Sequence, residues 1–299
     1  MNCSSGQGHI VCFGEVLWDV FPNESRIGGA PLNVAIRLHA LGQDVKMISA
    51  VGDDELGMGI RQHLLAMGMS DRYVQTAEAP TGTVQVSLDE HGTASYEIVE
   101  PVAWDKIGCT RDLLELVGGA SLFVFGSLAA RSEGTRESLL ALIEAAPYRV
   151  FDVNLRPPHY HLATIQHLLG LAHFVKFNDE ELIEFTADIF DSEAPLEESA
   201  NYVSKTYDLD KICVTLGAEG AFLMEGDDMY RSEGFAVDVI DTVGAGDSVL
   251  GTLLHFLQIG TPAAKAIRLA CAMGAMVAGR AGATPHITES ELHAFSGLE

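Results

Sequence analysis

Short β-rich runs alternate with apolar stretches of helical spacing through most of this chain, and that rhythm decides its architecture. Residues 9–13, 45–51, 121–125, 149–153, 174–177 and 211–215 read as strands, and residues 31–41, 55–67, 133–145 and 179–186 between them read as helices. Strands separated by helices pair in parallel, and the helices then cover both faces of the sheet. The expected fold is α/β, a doubly wound and mainly parallel sheet in one domain over residues 1–299. An apolar content of 47% is ample for such a core. One segment leaves the rhythm. Residues 83–88 and 93–99 alternate as strands do and are joined by the turn-forming Asp89-Glu90-His91-Gly92, which predicts a hairpin. A hairpin outside the βα order is a candidate flap, so a β lid formed mainly by residues 81–100 is expected over the ligand crevice. Further on, residues 235–240 read as a strand, and residues 246–257 and 263–278 as helices rich in small residues.

Charge narrows the partners. With 42 acidic against 18 basic residues the formal net charge is −24, a field that repels nucleic acid and anionic membranes. A nucleotide is still admissible, because local backbone N–H groups and a divalent cation can supply positive potential. The five cysteines form no CxxC pair, and Cys12, Cys213 and Cys271 sit in apolar runs as small core residues. The N-terminus carries no basic region leading into an apolar stretch, and no run reaches the ~18 residues that span a bilayer. A cytoplasmic protein is expected.

Four glycine- or acid-marked segments can carry chemistry. In Asp241-Thr242-Val243-Gly244-Ala245-Gly246-Asp247, glycines at a helix start leave N–H groups pointing outward where the helix dipole favours an anion. Asp247 at the same start can take the proton of an attacking hydroxyl, or it can be a first-turn acid beside a tight loop. In Gly28-Gly29-Ala30-Pro31-Leu32-Asn33, the glycines admit a polar ligand close to backbone and Asn33 can bond a sugar hydroxyl, although a plain helix entry needs the same residues. Asn178-Asp179-Glu180-Glu181 follows a strand at the end where open α/β sheets bind ligands. Its acids suit either a water-rich Mg²⁺ or the helix dipole. Asp152, Asn154 and Arg156 raise the same choice after the preceding strand. Thr215-Leu216-Gly217 with Gly220 suits a flat base against backbone, and equally a strand–turn–strand connection. The P-loop, G-x-G-x-x-G, H-E-x-x-H and G-x-S-x-G patterns are all missing, which removes the commonest nucleotide-loop, metalloprotease and hydrolase readings. The eleven histidines show no ligand-like spacing.

Together and in this order, from Gly14-Glu15-Val16-Leu17-Trp18-Asp19 to Ala281-Gly282-Ala283, these segments resemble the ribokinase/PfkB carbohydrate kinase family. Residues 28–35 and 241–247 look like its two signatures. The resemblance implies an ATP-dependent sugar kinase with Asp247 as base and the backbone of Gly244, Ala245, Gly246 and Asp247 as anion hole. It implies that Asp19, Gly28, Gly29, Asn33 and Arg156 hold the sugar, and that Asn178, Thr215, Gly217 and Gly220 line the nucleotide site. Glu181 would meet Mg²⁺ through water, and Asp241, Val243 and Gly282 would surround a monovalent cation such as K⁺. A homodimer through the lid is also implied. Residues 14–22, 96–105 and 151–156 look most like bacterial fructokinases, whereas Ala30 and Ser127-Leu128 stand where ribokinases carry lysine and glutamate. Tyr96 is followed by Glu97, where kinases for 2-keto-3-deoxygluconate carry an arginine, and an acidic lid disfavours an acidic sugar. Cys271 stands where relatives often place an asparagine near the adenine. Other readings within the same resemblance are a kinase for ribose, 2-keto-3-deoxygluconate, a nucleoside or a vitamin alcohol, and a non-catalytic sugar-binding regulator.

Overall fold

The computed structural model describes residues 8–88, 94–191 and 194–298. Its strands, in chain order, are β1 (Ile10–Phe13), β2 (Leu17–Val20), β3 (Ser25–Gly28), β4 (Val45–Gly52), β5 (Val74–Ala77), β6 (Gly82–Leu88), β7 (Ala94–Ile98), β8 (Leu122–Gly126), β9 (Arg149–Asp152), β10 (Phe174–Asn178), β11 (Lys211–Thr215), β12 (Ala221–Glu225) and β13 (Asp228–Ser232). They make two sheets. The larger has nine strands in the order β13-β12-β11-β10-β9-β8-β1-β4-β5, parallel throughout except for β12 and β13. The α/β expectation therefore holds.

The helices are α1 (Ala30–Ala40), α2 (Glu55–Ala66), α3 (Arg111–Gly118), α4 (Glu133–Ala145), α5 (Leu162–Leu169), α6 (Asp179–Thr186), α7 (Leu196–Tyr207), α8 (Ala245–Gln258), α9 (Ala263–Ala278) and α10 (Glu289–Ser296). Successive strand residues point to opposite faces, and the core divides accordingly. Ile10, Cys12, Val150 and Cys213 pack with α1, α2, α8, α9 and α10, while Val11, Phe13, Phe151, Ile212 and Val214 pack with α3 to α7. Strands buried on both faces read as unbroken apolar runs, which is why this sheet is visible in the sequence.

The second sheet has four strands in the order β3-β2-β6-β7. The hairpin expected over residues 83–99 supplies two of them, and its Asp89-Glu90-His91-Gly92 turn and Thr93 lie outside the described residues. The other two come from residues 17–28, so the small sheet is built from both sides of α1. Its own core is thin, with Leu17 and Val84 buried and Phe21 and Ile98 packed on them.

The strand expected over residues 235–240 is absent. That stretch is extended but unpaired, with Val239 and Ile240 exposed, and the N–H groups of Ile240 and Asp241 both donate to the Ala278 carbonyl at the end of α9. Its alternation serves helix contacts instead of a ladder, as Phe235 lies against Phe295 of α10 and under the Arg268 guanidinium. Among the described residues no helix is long and apolar enough to cross a membrane.

Candidate active site

The starts of α1 and α8 meet. The Asn33 Nδ2 donates to Asp247 Oδ2 at 2.8 Å, joining residues from opposite ends of the chain. Each helix begins on a glycine in the left-handed region, which the sharp entry requires. At Gly29, with φ 117°, a Cβ would lie 2.4 Å from the Glu15 carbonyl oxygen, and at Gly244, with φ 76°, one would lie 2.4 Å from the Ala283 carbonyl oxygen. Neither helix has a side-chain cap, so their first N–H groups stay available. On α8 the Ala245 N–H is turned back to the Thr242 carbonyl at 3.2 Å. The N–H groups of Gly246 and Asp247 remain as first-turn donors that could meet an anion.

Asp247 is pushed up to about 6, first by desolvation and then by the negative charge of Asp152, with Lys176, the Asn33 hydrogen bond and Arg156 pulling it back. Asp152 ends β9 and Lys176 is its register partner on β10, and the two form a buried ion pair at 3.0 Å. A Cβ on Gly246 would sit 3.6 Å from the Lys176 ammonium, so this cation lies directly behind the cradle. Asp152 Oδ2 has no hydrogen-bond partner. Lys176 escaped the sequence reading, although a lysine inside the apolar run Phe-Val-Lys-Phe was a signal, because such a residue must be paired if buried.

On the second sheet, Asp19 of β2 is pushed up to about 6 by burial and by Asp241, against Arg156 and Arg26. A Cβ on Gly28 would lie 2.5 Å from the Asp19 carboxylate, so glycine there makes room for the acid. Glu15, also missed, is buried with Oε2 unpartnered and is pushed up to about 7, first by burial. Arg156 is exposed, with its guanidinium bonded to the Leu155 carbonyl beside it at 2.8 Å, and its charge acts on Glu15, Asp19, Glu181 and Asp247. It stands among four carboxylates with most of its donors open to a ligand.

Asn178 and Glu181 form a reciprocal cap on α6, with Oδ1 of Asn178 accepting from the Glu181 N–H at 2.7 Å and Oε2 of Glu181 accepting from the Asn178 N–H at 2.9 Å. Oε1 of Glu181 accepts from the Leu155 N–H at 3.0 Å. Both of its oxygens thus hold backbone, which satisfies the helix-entry alternative. Thr215 is the register partner of Asn178. Gly217 and Gly220 lie in the turn from β11 to β12, where a Cβ on Gly220 would be 2.1 Å from the Ser232 carbonyl oxygen. Cys271 is buried in α9 beside the Ser232 hydroxyl. Asp241 accepts from the Val243 N–H at 3.0 Å and the Gly282 N–H at 3.2 Å, and pairs with Arg26 at 2.7 Å.

Known proteins share this fold. Residues 7–290 match the pfkB family of carbohydrate kinases. The chain is 30% identical to probable fructokinase-3 of Arabidopsis thaliana, covering all of this chain and 94% of that protein. A double mutant of the Vibrio cholerae O395 fructokinase, solved with fructose, ADP and potassium, superposes with a TM-score of 0.84 at 26% identity over 98% of this chain and 99% of that one. The aminoimidazole riboside kinase of Salmonella enterica, solved with aminoimidazole riboside and an ATP analogue, gives 0.80 at 25% identity over 96% and 99%. With a match over nearly its whole length and both signature segments joined at one carboxylate, the chain belongs to the pfkB family of carbohydrate kinases.

Proposed function

We propose that this kinase transfers the γ-phosphoryl group of ATP to fructose, giving fructose 6-phosphate and ADP. The observation that carries the reading is the 2.8 Å contact of Asn33 with Asp247 at the start of two helices, which supports taking the first as a sugar-hydroxyl ligand and the second as the base. The sugar hydroxyl gives its proton to Asp247 as its oxygen forms the new bond to phosphorus, and the bond to the β-phosphate oxygen breaks. Donors at Gly246 and Asp247, backed by the Lys176 charge, are aimed where negative charge collects on the transferring group. Arg156 spans sugar and phosphoryl sides, and Asp19 with the Gly28-Gly29 backbone holds hydroxyls across the cleft.

Among the described residues no cluster of three or more His, Cys, Asp or Glu could hold a metal. Mg²⁺ would come with ATP and supply charge neutralisation, with Glu181 meeting it at most through water. Asn178, Thr215, Gly217 and Gly220 are assigned to the nucleotide. The chain is read as one cytoplasmic kinase domain over residues 1–299, with the second sheet as its lid. A homodimer through the outer edge of that sheet is part of the reading, since an edge strand presents unpaired backbone groups. Light scattering at micromolar concentration tests it, a monomer being the refuting result.

The activity test is an ATP-dependent screen of fructose, ribose, glucose, mannose, 2-keto-3-deoxygluconate and adenosine. Fructose is expected to give the highest kcat/KM. A higher value for any other acceptor overturns the assignment.

A further inference from the structure

A second cavity, of about 820 Å³, is lined among others by Glu100, Lys106, Arg131, Gly134, His159 and His161, and by none of Asp19, Asn33, Arg156 and Asp247. A space of that size takes a small organic molecule. Its lining says which kind.

The side chain of Arg131 is 6% exposed, and its guanidinium lies 3.8 Å from the centroid of the Trp104 ring. Nε and Nη2 hold the Asp105 carboxylate at 2.8 Å each, and Nη2 also reaches the Val99 carbonyl at 3.3 Å. Nη1 has no hydrogen-bond partner among the described residues. A buried guanidinium nitrogen left open is costly unless a ligand or water meets it. The nearby Glu100 carboxylate does not, since its Oε2 stays 3.8 Å from Arg131 Nη1 and 3.8 Å from His159 Nδ1. An exposed acid of the chain itself thus stands between two nitrogens, too far from either to bond it.

The start of α4 opens on the same space. Ser132 gives its hydroxyl to the Asp105 carbonyl and does not cap the helix, which leaves the N–H groups of Glu133 and Gly134 as first-turn donors. Both residues line the cavity, and a Cβ on Gly134 would meet nothing within 4 Å among the described residues. Lys106 adds a cation, and the rings of His159 and His161 can add donors. Against these stand Glu100 and Glu133, both exposed, because Asp105 is already neutralised by Arg131.

We propose that this cavity is a second binding site of the kinase, for a phosphate monoester whose phosphate takes the place of the Glu100 carboxylate and meets Arg131 Nη1 and the first N–H groups of α4. A free phosphate ion has the same chemistry, but the volume leaves room for an organic part. The proposal depends neither on which sugar is phosphorylated nor on turnover, since its readout is binding.

Glycerol 3-phosphate and inorganic phosphate are titrated calorimetrically at constant ionic strength, with Mg²⁺ and a saturating non-hydrolysable ATP analogue present to fill the phosphate positions of the catalytic cleft. The parent should bind glycerol 3-phosphate with a Kd of about 1 mM or tighter, and inorganic phosphate about threefold or more weaker. Glu100→Gln removes the competing carboxylate and should tighten the monoester by about threefold or more. Gly134→Asp puts an acid into open space at a helix start, where it suits the helix, and should weaken binding about tenfold or more. Arg131→Lys keeps a cation for Asp105 but loses the open nitrogen, and should weaken it by a similar factor. Should the lysine variant fail to fold, the opposite signs of the other two decide. A parent that binds no monoester at 10-fold above that Kd overturns the proposal, as does binding that none of the variants changes, since it would then lie elsewhere. Weaker binding in Glu100→Gln overturns it because the acid would be a ligand, and equal affinity for inorganic phosphate because the organic part would be idle.

Discussion

Asp247 and Asp19 both feel the charge of Arg156, and burial pushes both up to about 6, but their settings differ. Asp247 rises from the first turn of a helix packed on the nine-stranded sheet, bonded by Asn33 and flanked by the buried Asp152–Lys176 pair. Asp19 lies on a four-residue strand of a sheet whose own core is little more than Leu17 and Val84. A reacting group needs positional precision, which a densely packed scaffold supplies. A group that selects and releases a substrate is better carried by an element with few buried contacts, since such elements move at low free-energy cost. On the proposed reading, the large sheet carries the chemical step and the small sheet carries sugar affinity.

The largest expected effect breaks this division if it fails. Asp247→Asn keeps shape and an acceptor oxygen but cannot take the hydroxyl proton, so kcat should fall by about 10²–10⁴ with sugar KM little changed. Asn is as good a helix-start residue as Asp, so a purely structural Asp247 would tolerate the change. Asp19→Asn should do the reverse, raising sugar KM by roughly 10-fold or more through a lost charged hydrogen bond while kcat stays within about threefold. Steady-state kinetics over sugar concentration at saturating ATP read both. A kcat within about threefold of the parent for Asp247→Asn removes the base. Equal losses of kcat in the two variants erase the distinction between the sheets.

The same contrast governs what the sequence could reveal. The nine-stranded sheet was legible in its inner strands, where residues such as Ile10–Phe13 and Lys211–Thr215 are apolar on both faces and separated by helix-spaced stretches. The meeting of Asn33 and Asp247 was legible only through two signature segments taken together, as each alone fits an ordinary helix entry. Strands β2 and β3 were not legible, being four residues long with Asp19 and Arg26 in their midst, and pattern arguments need longer runs. Residues 235–240 misled because alternation marks an extended chain with one buried side, whether or not a neighbouring strand is there to pair. Glu181 shows the limit of a motif: the motif marks the residue, but only the backbone at Leu155 and Asn178 reveals that its oxygens are engaged.

The smallest effect sharpens the account of the rigid half. As a base, Asp247 works ionised, so kcat/KM should fall as pH drops through about 6, by up to tenfold per unit below it. Lys176 favours the ionised form and Asp152 opposes it. Removing the cation by Lys176→Met should therefore raise the carboxyl's titration and move the acid limb to higher pH. Removing the anion by Asp152→Asn should lower it and move the limb the other way, each by about one unit. Through the ionisation of Asp247 alone the first change costs about twofold at pH 7, because half of a base titrating near 7 is still ionised, and loss of the charge behind the cradle adds to that in kcat at every pH. Either single variant leaves a buried charge unpaired, a destabilisation of roughly 3–5 kcal/mol, whereas the double variant leaves none and should return the limb close to the parent's. Profiles of kcat/KM from pH 5 to 8, taken well below each variant's Tm, read the shifts. Opposite displacements that cancel in the double variant place Asp247 under the control of this pair. Limbs that move together, or not at all, would mean that the pair props up the strands and leaves the base to be set by desolvation and Asn33 alone.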